Sequence, residues 1–132
     1  MGKIIGKTIS HYKILEKLGE GGMGIVYKAE DTKLNRPVAL KFLPLSVSAD
    51  LKAKKRFLHK AQAASALDHP NICTIHEIAE INDGQMYIVM ACYEGEVLKN
   101  KIKSKPLDLE ESINIATQIA AGLSTAHNHT LF

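Results

Sequence analysis

Leu18-Gly19-Glu20-Gly21-Gly22-Met23-Gly24-Ile25-Val26, with Val38-Ala39-Leu40-Lys41 following it, decides how the rest of this chain is read. A Gly-x-Gly-x-x-Gly run occurs in dinucleotide-binding turns and in plain hairpins, so the residues after the glycines must discriminate. In a dinucleotide fold the third glycine opens a helix, and an acid about 20 residues on holds the ribose. Here Gly24 opens Ile25-Val26-Tyr27, a strand-forming run, and Phe42, Leu43, Pro44 and Leu45 stand where the acid belongs. Ile14, Glu16 and Leu18 alternate before the glycines and Val26 and Lys28 after them, which predicts two antiparallel strands joined by a glycine flap. Gly19, Gly21 and Gly24 are expected to take positive φ and to let the backbone approach phosphate oxygens with no Cβ in the way.

Val38-Ala39-Leu40-Lys41-Phe42 is an apolar strand interrupted by one lysine. A lone lysine there would lay its stem on apolar surface and keep its ammonium in water. On the strand after the flap, 17 residues beyond Gly24, Lys41 instead reads as a partner for an anion.

These features resemble the protein kinase family, and within it the bacterial serine/threonine kinases of eukaryotic type. Gly19, Gly21, Gly24 and Val26 match Gly-x-Gly-x-x-Gly-x-Val, and Val38, Ala39 and Lys41 match Val-Ala-x-Lys. Ala63 to Ile72, ending His69-Pro70-Asn71-Ile72, looks like the link between the family's regulatory helix and fourth strand. Tyr87-Ile88-Val89-Met90 looks like the fifth strand leading into the hinge. The resemblance implies an α+β fold: a five-stranded antiparallel sheet with a regulatory helix, then a hinge and the first helices of a second lobe. Residues 1–10 would be a lead-in, 11–93 the first lobe with its flap and hinge, and 94–132 the start of the second lobe.

The same resemblance implies an ATP site. Gly19, Glu20, Gly21, Gly22, Met23 and Gly24 would cover the phosphates, Leu18 and Ile25 would belong to the same ATP site, and Lys41 would hold the α- and β-phosphates. Val26 and Ala39 would roof the adenine, Met90 would guard the back of the pocket, and Ala91 and Tyr93 would offer hinge backbone groups. Magnesium is expected only with a complete domain. Protein substrates or a partner domain would belong to the full-length form.

Two departures stand out. Where family members carry a helix glutamate that pairs with the lysine, alignment through Arg56-Phe57-Leu58-His59 places Lys60, and no acid occurs between Asp50 and Asp68. Two ammonium groups within about 4 Å repel by roughly 1 to 4 kcal/mol, so Lys60 is expected to swing outward. The second departure is that neither His-Arg-Asp nor Asp-Phe-Gly occurs in the 132 residues. The chain therefore offers no candidate catalytic base and no metal ligands of the family's kind, and by itself is expected to be inactive. The alternative is a non-catalytic, pseudokinase-like module that binds a nucleotide or a partner without chemistry.

Composition fits an ordinary folded domain, with 45% hydrophobic and 23% charged residues. A net charge of +3 gives no case for nucleic acid. Lys52, Lys54, Lys55, Arg56 and Lys60 form one basic run, read as a solvated helix face or a dock for an acidic partner. Cys73, expected in a strand, and Cys92, in the hinge, lack metal-ligand spacing and fit a reduced, cytoplasmic setting. No run reaches the length of a membrane helix.

Ser46, Ser48 and Asp50 offer caps for a helix running to about Leu67, and Asn82-Asp83-Gly84 predicts a hairpin turn. A short helix is expected over Val97 to Lys103. Asp108 and Glu111 form a capping box for a last helix. Its face of Ile113, Ala116, Ala120, Leu123 and Ala126 would be exposed and would invite self-association.

Overall fold

The computed structural model describes residues 3–129. Strands β1 (Thr8–Ile9), β2 (Tyr12–Gly21), β3 (Gly24–Asp31), β4 (Arg36–Phe42), β5 (Ile75–Glu80) and β6 (Met86–Ala91) form one sheet in the order β1-β2-β3-β4-β6-β5. Every neighbouring pair is antiparallel.

The sheet has six strands where five were expected. The sixth, β1, lies in the lead-in: Ser10, at φ 55°, turns the chain so that Thr8 and Ile9 pair with Lys13 and Tyr12. Ile9 is half-buried against the core, which gives that pairing an apolar anchor.

Alternation along the strands divides the sheet into two faces. Val38, Leu40 and Phe42 of β4 join Tyr12, Ile14, Tyr27, Ala29, Tyr87 and Val89 in the buried core. Tyr27 meets Phe42 edge-on at 5.8 Å between ring centroids, and Phe42 leans on Tyr87 at 5.4 Å. Burying a side chain of that kind contributes about 1.5–3 kcal/mol. Tyr12 donates its hydroxyl to Glu77 of β5, and burial together with that carboxylate pushes its pKa up.

The helix expected to run from its caps to Leu67 is two helices. Asp50, extended at φ −87° and ψ 110°, separates α1 (Leu45–Ala49) from α2 (Leu51–Ser65). Its carboxylate accepts the N–H groups of Lys52 and Ala53, so Asp50 caps α2. Ser48 acts elsewhere: buried in α1, it accepts the N–H of Met86 at 3.0 Å. Gln85, just before β6, donates to the carbonyl of Leu43, between β4 and α1, at 2.8 Å. The basic run is not uniformly solvated either, because Lys54 pairs with Glu80 of β5 at 2.5 Å.

Gly84, at φ 86°, returns its N–H to Ile81 and closes the Asn82–Gly84 turn as expected. Cys73 precedes β5 instead of lying within it, and is exposed.

Helices α3 (Leu98–Ser104) and α4 (Leu109–Asn128) follow β6. Asp108 accepts the N–H of Glu111 at 2.8 Å, but the Glu111 carboxylate pairs with Lys101 of α3 at 2.6 Å. The capping box is thus half used for capping and half for joining two helices. Gly122 brings α4 against the loop before β5, where an added Cβ would lie 2.9 Å from the Asn71 carbonyl oxygen. Ile113 and Leu123 are exposed on α4, while Ala126 is buried.

Candidate functional site

The flap is a tight hairpin in which Gly22 and Met23 link Gly21 to Gly24. Gly24 is at φ 116°, and a Cβ there would fall 1.9 Å from the carbonyl oxygen of Phe42. Gly19 and Gly21 do not share the left-handed conformation expected of them, and around Gly19, Gly21 and Gly22 an added Cβ would meet nothing within 4 Å. The glycines therefore do two different things. Gly24 permits a close backbone approach, whereas the others leave the flap bare.

Two register shifts in β2, between Ile14 and Glu16 and between Lys17 and Gly19, leave Leu15 and Leu18 without a pairing partner on β3. Such bulges bend a strand and re-aim its side chains. Glu20 is tied to Lys17 along the flap, which raises the lysine's pKa and lowers the carboxyl's. Met23 is exposed at the tip, and Ile25 pairs with Phe42.

Below the flap, strand register collects the remaining residues. Val26, Lys41 and Ile88 form one row across β3, β4 and β6, and Lys28, Ala39 and Met90 form the next. Directly paired residues point to the same side of a sheet, and so do residues two apart. Val26, Ala39, Lys41 and Met90, separated by up to 64 positions in sequence, therefore share the face opposite the core.

At the end of β6 the Ala91 N–H is already bonded to the Thr74 carbonyl at 2.9 Å, and the Ala91 carbonyl lies 3.8 Å from the Cys73 thiol. A carbonyl keeps a second lone pair, so Ala91 still has an acceptor to offer, but its N–H is committed. Burial pushes the Cys73 thiol up. Tyr93 is largely exposed just beyond. Lys28 reaches Glu94 at 3.5 Å, joining the flap strand to the segment after β6. The two stand 66 positions apart, and no local pattern signals that pair.

Lys60 is exposed on α2 and borders a cavity of about 660 Å³ that also touches Met23, Phe57, Ile72, Ile88 and Leu123. Among the described residues, neither Lys41 nor Lys60 has an ion-pair partner. No group of three or more His, Cys, Asp or Glu side chains arranged to hold a metal occurs among those residues.

The sequence pattern of the protein kinase domain matches residues 12–132. The serine/threonine-protein kinase PrkC of Bacillus subtilis is 44% identical over 97% of this chain, and PknD of Mycobacterium tuberculosis is 39% identical over 93%. Those matches cover 20% and 18% of the respective relatives, so the chain spans about a fifth of their length. The crystal structure of the PknI kinase domain of M. tuberculosis superposes with a TM-score of 0.84 at 29% identity, over 94% of this chain and 50% of that one.

Proposed function

Because the chain belongs to the protein kinase family and corresponds to the N-terminal part of its domain, we propose that it binds ATP as the nucleotide-holding part of a serine/threonine kinase. One observation carries this reading. A glycine-rich hairpin, open around Gly19, Gly21 and Gly22, lies beside a sheet face that Val26, Ala39, Met90 and Lys41 share. The apolar members suit an adenine ring, the bare flap backbone suits phosphate oxygens, and the Lys41 ammonium suits their charge. The Ala91 carbonyl is the acceptor for an adenine amino group, and Tyr93 brings a second backbone position to the base. Leu18 borders the base from β2.

In the whole protein the γ-phosphoryl would pass to a protein hydroxyl. This chain, whose sequence has neither His-Arg-Asp nor Asp-Phe-Gly, is proposed to transfer none by itself. Calorimetric titration with ATP and adenosine tests the reading: both bind and compete if it is right, and failure of both to bind overturns it.

A second reading has its own support. Lys41 lacks a carboxylate partner among the described residues and Lys60 stands on the adjacent helix, which favours a kinase-like module that binds nucleotide without chemistry. Phosphate transfer by the longer protein to a general protein substrate, above a Lys41→Met control, would exclude it.

A further inference from the structure

We propose that Cys73 and Cys92 are a reversible redox pair, which closes to a disulfide and ties the start of edge strand β5 to the segment after β6. The proposal does not rest on the nucleotide reading.

Strand register brings the two cysteines together across 19 positions of sequence. Ile75 pairs with Met90, and one step further the Ala91 N–H donates to the Thr74 carbonyl at 2.9 Å. Carried one more step, the same antiparallel register sets Cys73 opposite Cys92. Pairs along such a ladder alternate between a hydrogen-bonded and a non-hydrogen-bonded kind. Since the Thr74–Ala91 step carries the backbone bond, Cys73–Cys92 is a pair of the second kind, in which Cα atoms stand about 4.5 Å apart and both side chains leave the same side of the sheet. A disulfide needs Cα atoms about 4.4–6.8 Å apart. The Cys73 sulfur already lies between the two chains, 3.9 Å from the Thr74 carbonyl oxygen and 3.8 Å from that of Ala91, the residue before Cys92.

Both thiols are free, with Cys73 exposed and Cys92 half-buried, so a small solute can reach the pair. The oxidant is a low-molecular-weight disulfide. The thiolate of one cysteine attacks it, forming a mixed disulfide and releasing one small thiol. The thiolate of the other then attacks the protein sulfur of that intermediate, forming the Cys73–Cys92 bond and releasing the second small thiol. Two protein thiols are oxidised, one small disulfide is reduced to two thiols, and the two protons leave with them. A dithiol reverses the sequence.

The link acts where backbone pairing stops. Strand β5 ends the sheet and has a strand neighbour on one side only, and its ladder with β6 ends at Ile75–Met90. A bond one step beyond the Thr74–Ala91 contact extends that pairing covalently and closes a ring of about 20 residues, which removes freedom from the unfolded chain. Ala91 and Tyr93 flank Cys92, so the oxidised form also restrains the segment after β6.

The test is equilibration of the 132-residue chain in buffers of reduced and oxidised glutathione, natively and in urea, followed by acid quenching, alkylation and peptide mapping by mass spectrometry. The native chain should form an internal Cys73–Cys92 link that dithiothreitol reverses, with an equilibrium constant at least about tenfold larger than that of the urea-unfolded chain. The oxidised form should melt more than about 5 °C above the reduced one. Cys73→Ser and Cys92→Ser should show no oxidant-dependent rise in melting temperature. Dimers, glutathione adducts without an internal link, an equilibrium constant no larger in the native chain than in urea, or a link that leaves the melting temperature unchanged would each overturn the proposal.

Discussion

Gly24 approaches Phe42 so closely that a methyl group on its α-carbon would lie 1.9 Å from the Phe42 carbonyl oxygen. The flap is therefore held to the end of β4 by backbone contact, and its position relative to Lys41, the residue before Phe42, follows from that contact. The neighbouring glycines carry no such demand.

Gly24→Ala should destabilise the fold by more than about 2 kcal/mol, since it combines an unfavourable φ with a backbone clash. Gly21→Ala and Gly22→Ala should each change stability by less than about 1 kcal/mol. Urea unfolding of the three variants checks this, and equal losses would show that the glycines serve one purpose.

Lys41→Met should weaken ATP binding by about tenfold, as expected for loss of one charge-assisted contact, with adenosine affinity kept. Calorimetry separates the two ligands. Equal weakening of both would mean that Lys41 supports the pocket walls instead of contacting phosphate.

Asp31 should govern part of the acid limb of stability. Burial alone would raise its pKa, but the backbone N–H groups of Leu34 and Lys33, with His11 and Arg36 nearby, hold it below the ordinary carboxyl range. A folded pKa below the unfolded one of about 3.9 means that the stabilisation is present above that pH and is lost as pH falls through the folded value. Unfolding free energy measured from pH 7 down to pH 2 should drop less steeply below about pH 4 in Asp31→Asn than in the parent.

Gly122→Ala tests the contact between α4 and the loop before β5. In an open helix this change stabilises by about 1 kcal/mol. Here the new Cβ would stand 2.9 Å from the Asn71 carbonyl oxygen, so the melting temperature should fall despite the better helix former. A rise would show that α4 can shift without cost.

Much of the candidate site is proposed from local signals. The glycine spacing, the lysine inside an apolar strand, the Asn82–Gly84 turn and the Asp108 cap each depend on residues close together in sequence, and the structure realises the turn and the cap as such. The strand β1 could not be read, since two residues gain strand character only from Lys13 and Tyr12 beside them. Nor could the Lys28–Glu94 pair or the seating of Gly122 on Asn71, which join distant segments. The glycines misled in one respect: a motif shows where side chains are missing, and only the neighbouring backbone shows which absence is sterically required.

The two rows Val26-Lys41-Ile88 and Lys28-Ala39-Met90 alternate with core residues on the same strands. Interior and cleft are consequently written in one reading frame. Deleting a single residue within β4 would exchange them, sending an ammonium inward and a leucine or phenylalanine outward. Length changes inside the strands should therefore not be tolerated, so the two faces can vary in composition but never shift independently.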